Sequence, residues 1–352
     1  MLYKLYKGGE MKRSTLFLMI CIIVVCLSIL AQAQENAVLT QAKSIFGPLP
    51  KVIESKDNPI TPEKVSLGKM LFYDTRIAAD KNSACIKCHW MNLYGADGMK
   101  APFGRDCKAE KRNSITVFNC AGEIAQHWPG NRATVEEQAK GALLTPLAYG
   151  YKTEAEAVQA IKVYSGYIAL FQKAFPGEKD PVSADNFGKA VGAFERILVT
   201  PSQFDDFLKG NAKALTQKEQ TGLKTFMETG CSGCHNSPFV GGQMYQKFGL
   251  TQPYWNLTHS PVPDSGRYAV TKNAGDIFVF KVPLLRNVAM TAPYFHDGSV
   301  ERLQDAVKIM AQLQLEKTLT DAQASDIVAF LKSLTGQIPE EALKVPILPV
   351  GE

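Results

Sequence analysis

The chain has 352 residues, with 39 basic against 34 acidic side chains and 45 % hydrophobic, 21 % charged and 9 % aromatic residues. That composition excludes a disordered or collagen-like polymer, and a chain this long buries about three-quarters of its unfolded surface, enough for two domains. A net charge of +5 with no basic block beyond pairs such as Lys111-Arg112 argues against nucleic acid as a partner.

Lys4, Lys7, Lys12 and Arg13 precede an apolar run from Leu16 to Leu30, and Ala31-Gln32-Ala33 follows it. This is the order of an export signal, cleaved after Ala33, with Met11 as a second candidate start. The rival reading is an uncleaved anchor, but the run is shorter than the ~20 residues a span needs. No later stretch is long and apolar enough to cross a bilayer. The mature chain is therefore expected in the periplasm or an equivalent compartment, where thiols are oxidised or occupied.

Cys85, Cys88, Cys107, Cys120, Cys231 and Cys234 lie beyond that cleavage point. Two pairs repeat one pattern, Cys85-Ile86-Lys87-Cys88-His89 and Cys231-Ser232-Gly233-Cys234-His235. C-x-x-C-H is the attachment motif of c-type haem. Two thiols one turn apart can add to the two vinyl groups on one porphyrin edge, and the next imidazole then meets the iron. A redox dithiol or half a zinc site would explain one bare C-x-x-C, but not two copies each followed by His. The expected cofactors are two covalently bound haem c groups, with His89 and His235 as axial ligands.

The flanks repeat as well. Gly68 to Phe72 and Gly222 to Phe226 each read as a helix entering a haem turn, with eight more residues between Gly and Cys in the first copy. Each half closes on an amphipathic helix. Asp185 is read as the cap of a run bearing Phe187, Ala190, Val191, Phe194, Ile197 and Leu198 on one face. Thr320 to Gln323 is read as a capping box before Ile327, Val328, Phe330, Leu331 and Leu334. Long Gly/Pro/Asn-rich segments, Gly95 to Lys111 and Val240 to Val282, imply a bound group that orders them. Strand signals are few, the clearest at Phe278 to Phe280. The expected fold is mainly α, with two cytochrome c-like domains each enclosing one c-type haem. They span 34–200 and 201–352, joined at Thr200-Pro201-Ser202.

Beyond the haem motifs, Leu67-Gly68-Lys69-Met70-Leu71-Phe72-Tyr73-Asp74-Thr75-Arg76, Arg112 to Asn119, Val282 to Ala289 and Thr291 to Gly298 are distinctive. On these stretches the chain resembles the bacterial di-haem cytochrome c peroxidases and their MauG-type relatives. The resemblance implies an N-terminal haem that meets the substrate and a C-terminal haem that receives electrons from a partner cytochrome. It implies Trp128 as the bridge between them, and calcium held by Asn113 with the carbonyls of Thr291 and Pro293; oxygen donors from distant segments suit such a hard cation. It also implies Met310 as sixth ligand of the second haem, a thioether that would raise its potential. His259 and His296 are the alternatives should that haem be bis-histidine.

The sequence departs from that pattern at the first haem. The position of the family's capping histidine holds Arg105, whose guanidinium stays protonated and cannot ligate iron. The family's distal glutamate is replaced by Ala148, while the neighbouring glutamine survives as Gln138. General acid–base help at such a position is typically worth ~10²–10⁴-fold. Arg105 and Tyr149 are the candidates to act in its place, beside Gln138 as a further catalytic candidate, and a short loop shift could instead bring Glu123 or Glu154 there. Cys107 and Cys120 flank this loop and form either a disulfide or a thiol bond to the first haem. Three functions follow. The first is an oxidoreductase with an open N-terminal haem, diverged from peroxide reduction and working in a larger haem complex. The γ subunit of anammox hydrazine synthase (then in the anammoxosome) is the branch it would resemble. The second is a conventional hydrogen peroxide reductase, and the third an electron-transfer subunit without turnover. A homodimer is the other assembly expected.

Overall fold

The computed structural model describes residues 17–18, 20–23 and 37–351. The cleavage point after Ala33 lies outside them. No helix among the described residues is long and apolar enough to cross a membrane.

The architecture is mainly helical, as expected, and rests on two similar helix crossings. In the first half α1 (Pro62–Tyr73), α2 (Val135–Ala142) and α3 (Ala184–Arg196) pack together. In the second, α4 (Gln217–Thr229) packs on α6 (Asp321–Ser333), with α5 (Leu303–Leu315) alongside. The repeated glycines explain the likeness. A Cβ on Gly68 would stand 1.9 Å from the Ala190 carbonyl oxygen, and one on Gly222 would stand 1.8 Å from that of Asp326. Each pair of helices therefore meets backbone to backbone, and only glycine lets it. Gly222→Ala is expected to lower stability by ~1–3 kcal/mol, the usual cost of overpacking. Urea unfolding would show it, and an unchanged midpoint would refute it.

Local chemistry sets the helix ends. Thr61 caps α1, with Pro62 in its first turn, and Asp74 ends it. Ser183 caps α3 through Asn186 N–H, so Asp185 is not the cap but a first-turn residue that favours the helix dipole. Thr320 and Gln323 form the expected capping box on α6. The strand signal becomes a two-stranded antiparallel sheet, β1 (Tyr245–Lys247) with β2 (Val279–Lys281), in which Tyr245 faces Lys281.

Two hydrophobic cores follow the halves, except at the ends. Val38, Ala42 and Phe46 lie in the second core with Phe204, Phe226 and Phe330, while Ala342 lies in the first with Phe72 and Phe194. A boundary at residue 200 is therefore crossed twice, because each terminal segment buries its apolar side chains against the other half. Thr200 itself ties the halves together. Its hydroxyl accepts from Asn119 Nδ2 at 2.8 Å and Asn287 Nδ2 at 2.9 Å, and both asparagines sit at φ near +60° (63 and 64). Fully buried Arg286 grips Asp205 through two bonds of 2.7 and 3.0 Å.

Candidate haem sites and the wall between them

Each C-x-x-C-H motif opens onto its own cavity. The 3-10 turn Cys85–Lys87 brings Cys85, Cys88 and His89 to a cavity of about 480 Å³. The turn Cys231–Gly233 starts directly from Gly230, which ends α4 at φ 102, and brings Cys231, Cys234 and His235 to a second cavity of about 220 Å³. Glycine suits that left-handed helix stop because it has no Cβ to clash.

The donor chemistry of both cavities fits a covalently held haem. His89 Nδ1 lies 3.0 Å from the Gly95 carbonyl, so that nitrogen carries the proton and Nε2 keeps its lone pair for a metal. His235 is buried and its ring faces the carbonyls of Pro283 and Val240, although no contact at Nδ1 reaches hydrogen-bond geometry. Burial pushes its pKa down to about 4 and lowers that of His89, which keeps both imidazoles neutral as ligation requires. As free thiols, Cys85 and Cys88 are pushed up to about 12 and Cys231 to about 11, chiefly by burial. The buried Lys87 Nζ in the first cavity has no partner among the described residues, which suits the carboxylates a haem carries.

The two cavities share a wall. Asn113, Ser114, Ile115, Thr116 and Trp128 line both. Trp128 is fixed by its indole N–H on the Asn113 carbonyl at 2.9 Å, and its ring meets His296 edge to face at 6.3 Å. Behind it Lys281 and Glu123 form a fully buried ion pair that joins the halves. Lys281 also anchors its backbone N–H on the Trp128 carbonyl at 2.9 Å.

At the second cavity the structure brings Met310 from α5 and His296 to the lining, while exposed His259 stays outside. His296 is wedged between Phe280 at 4.4 Å and Tyr254 at 5.2 Å, ring to ring. Met310 is the more adaptable donor. Met310→Ala is expected to lower the potential of that haem and remove any thioether-to-iron charge-transfer band. An unchanged potential and spectrum would assign the ligand to His296. Asn113, Thr291 and Pro293 also line this cavity. The Asn113 amide donates Nδ2 to the Met99 carbonyl at 2.8 Å, which leaves Oδ1 free for a cation. Neither the Thr291 nor the Pro293 carbonyl accepts a backbone hydrogen bond among the described residues. This donor set suits calcium.

At the first cavity the outcome differs from expectation. Gln138, Ala148 and Tyr149 line it, but Arg105 does not. Its Nε donates to the Pro146 carbonyl at 2.8 Å and its guanidinium pairs with Asp106 at 3.3 Å, so the loop's own acceptors hold it away. Tyr149 is buried and donates to the Leu71 carbonyl at 3.2 Å. Glu154 pairs with Lys140 at 3.2 Å, outside the lining. Glu123 does line the cavity, but it is bound to Lys281. Cys107 and Cys120 are not joined: Cys107 is exposed on the loop, and buried Cys120 donates its thiol to the Val117 carbonyl at 3.1 Å. Among the acids and histidines that line the first cavity, the sequence reading missed Glu110, Glu195 and His127. Burial and neighbouring Glu136 push Glu195 up to about 8, so it holds its proton at neutral pH. The signal for Glu195 was its place on the apolar face of α3. His127 offered none beyond its place next to Trp128.

Comparison with known proteins agrees with this geometry. A family model described as di-haem cytochrome c peroxidase matches residues 62–213. The cytochrome c551 peroxidase of Pseudomonas aeruginosa is 42 % identical over 91 % of this chain and 92 % of its own length. That of Nitrosomonas europaea is 40 % identical over 82 % of this chain and 85 % of its own. Among solved structures, a MauG-like protein associated with microbial copper homeostasis superposes with a TM-score of 0.74 at 27 % identity, over 85 % of this chain and 97 % of that one. The chain belongs to the di-haem cytochrome c peroxidase and MauG family of haem oxidoreductases.

Proposed function

We propose that this chain is an exported di-haem c-type enzyme that reduces hydrogen peroxide. In this reading a small reduced cytochrome is the electron donor, and Trp128 stands in the wall between the cavities that would hold the two haems. The observation that carries it is the shared wall, in which one indole lines two cavities that each present a C-x-x-C-H motif. A haem in each cavity supplies the redox-active iron. Cys85, Cys88 and His89 would hold the first, and Cys231, Cys234, His235 and Met310 the second. Asn113, Thr291 and Pro293 would hold calcium beside the wall. Trp128, kept in one orientation by Asn113, stands in the wall that electrons would cross, and Gln138 offers an amide to a small ligand in the first cavity. The names of the two cytochrome c551 peroxidases support both the substrate and the kind of donor. Export rests on the leader sequence and on the oxidising compartment that c-type haem proteins occupy.

The reading of a substrate other than peroxide within a larger complex now stands on Ala148 alone, since Arg105 is held away from the cavity. A solved hydrazine synthase is only a distant structural neighbour, at 16 % identity and a TM-score of 0.46, and lends that role no support. A pure carrier would close both irons, whereas the first cavity is the larger of the two. The test is peroxide-dependent oxidation of a reduced small c-type cytochrome by the purified holoprotein. Two donors should be oxidised per peroxide; a donor that stays reduced would count against the proposal.

A further inference from the structure

A protic molecule reacting in the first cavity needs a group that can take its proton, and Ala148 has none. Of the acids and bases in the lining, Glu123 is committed to Lys281. Glu195, pushed up to about 8 chiefly by burial, already holds its proton at neutral pH, and burial pushes Glu110 up as well. His127 stands elsewhere. It lies directly before Trp128, at φ 67, in a turn closed by the bridge between Gln126 and Arg132. Its Nδ1 is 2.8 Å from Asn131 Oδ1. An amide oxygen can only accept, so Nδ1 bears the proton and Nε2 is left with its lone pair. The ring's free surface opens into the cavity that His89 lines, close enough for the charge of one imidazole to disfavour that of the other. Burial pushes His127 down to about 4, so it is a neutral base at neutral pH.

We propose that His127 is the proton-accepting side chain of the first haem site, presenting Nε2 to a small protic ligand in the cavity. This rests on reading that cavity as a haem site and supplies what Ala148 lacks. With hydrogen peroxide, Nε2 takes the proton from one oxygen and returns it to the other, which departs as water once the O–O bond breaks. The two electrons come from two equivalents of the reduced one-electron carrier and the remaining protons from solvent, so that two waters form.

Cyanide separates this role from a merely structural one. At neutral pH it enters as HCN, whose H–C bond must break, with the proton going to a base, before the carbon lone pair can bind a metal. His127→Phe in the holoprotein should slow cyanide binding to the oxidised N-terminal haem by ~10²–10⁴-fold, the usual worth of a placed base. Haem content and carbon monoxide binding to the reduced protein should be unchanged. An unchanged cyanide rate would overturn the proposal. So would a faster rate with loss of a low-spin signal, which would make His127 an iron ligand. Asn131→Asp is the second variant: a carboxylate on Nδ1 makes the ring a stronger base, so the pH at which cyanide binding switches on should move upward. A pH profile that does not move would also overturn it. Cyanide binding that depends on His127 in a protein inert to peroxide would sink the proposed function and leave this inference standing; peroxide turnover with no such dependence would do the reverse.

Discussion

Replacing Cys85 and Cys88 together with serine should leave the purified protein with one covalent haem in place of two. Both thiols lie in the turn that lines the first cavity, beside His89, and no other cysteine lies one turn from that imidazole. A pyridine haemochrome assay per chain would read the loss, and mass spectrometry would show the remaining group on Cys231 and Cys234. The effect should extend beyond stoichiometry. The first cavity borders the core formed by Phe72, Phe118, Phe187 and Phe194, so losing a group that binds only the folded state should also lower the melting temperature. Two haems per chain after this change would contradict the assignment.

Lys281→Met should destabilise the protein by ~3–5 kcal/mol, the usual cost of leaving one member of a buried ion pair unpaired. Lys281 and Glu123 have essentially no exposed side-chain surface, and burial already pushes the Glu123 carboxyl upward in pKa. Without the ammonium, Glu123 keeps, among the described residues, the weak bond from Leu284 N–H at 3.3 Å. The loss should shrink toward acidic pH, where Glu123 can take up a proton, and Glu123→Gln in the same chain should recover much of it. Urea unfolding of the two single variants and the double variant measures the coupling. Strict additivity would show that the pair does not bind the halves together.

Much of the scaffold was legible in the sequence, because covalent attachment and helix packing both leave local signatures. The two C-x-x-C-H motifs each open a cavity, the apolar stripe on α3 is buried, and the repeated Gly68 and Gly222 stand where helices meet backbone to backbone. The exchanged ends were not legible: Phe46 and Ala342 look like ordinary apolar residues, and only the tertiary fold decides which core takes them. Side-chain direction was the other gap. Arg105 stands where the family's capping histidine would, but Pro146 and Asp106 capture its guanidinium. His127 carries no spacing signal, because its role depends on a turn at positive φ and on Asn131 four residues on. Cys107 and Cys120 invite a disulfide by composition, whereas one is exposed on the loop and the other is buried beneath it.

The proposed function divides the labour, with small ligands at the N-terminal haem and electrons at a closed C-terminal haem. Carbon monoxide titration of the fully reduced protein tests it most directly. One carbon monoxide should bind per chain, none when Cys85 and Cys88 are replaced, and a second when Met310→Ala opens the other iron. Two bound to the unmodified protein, or one that survives loss of the first haem, would show that the roles are not divided in this way.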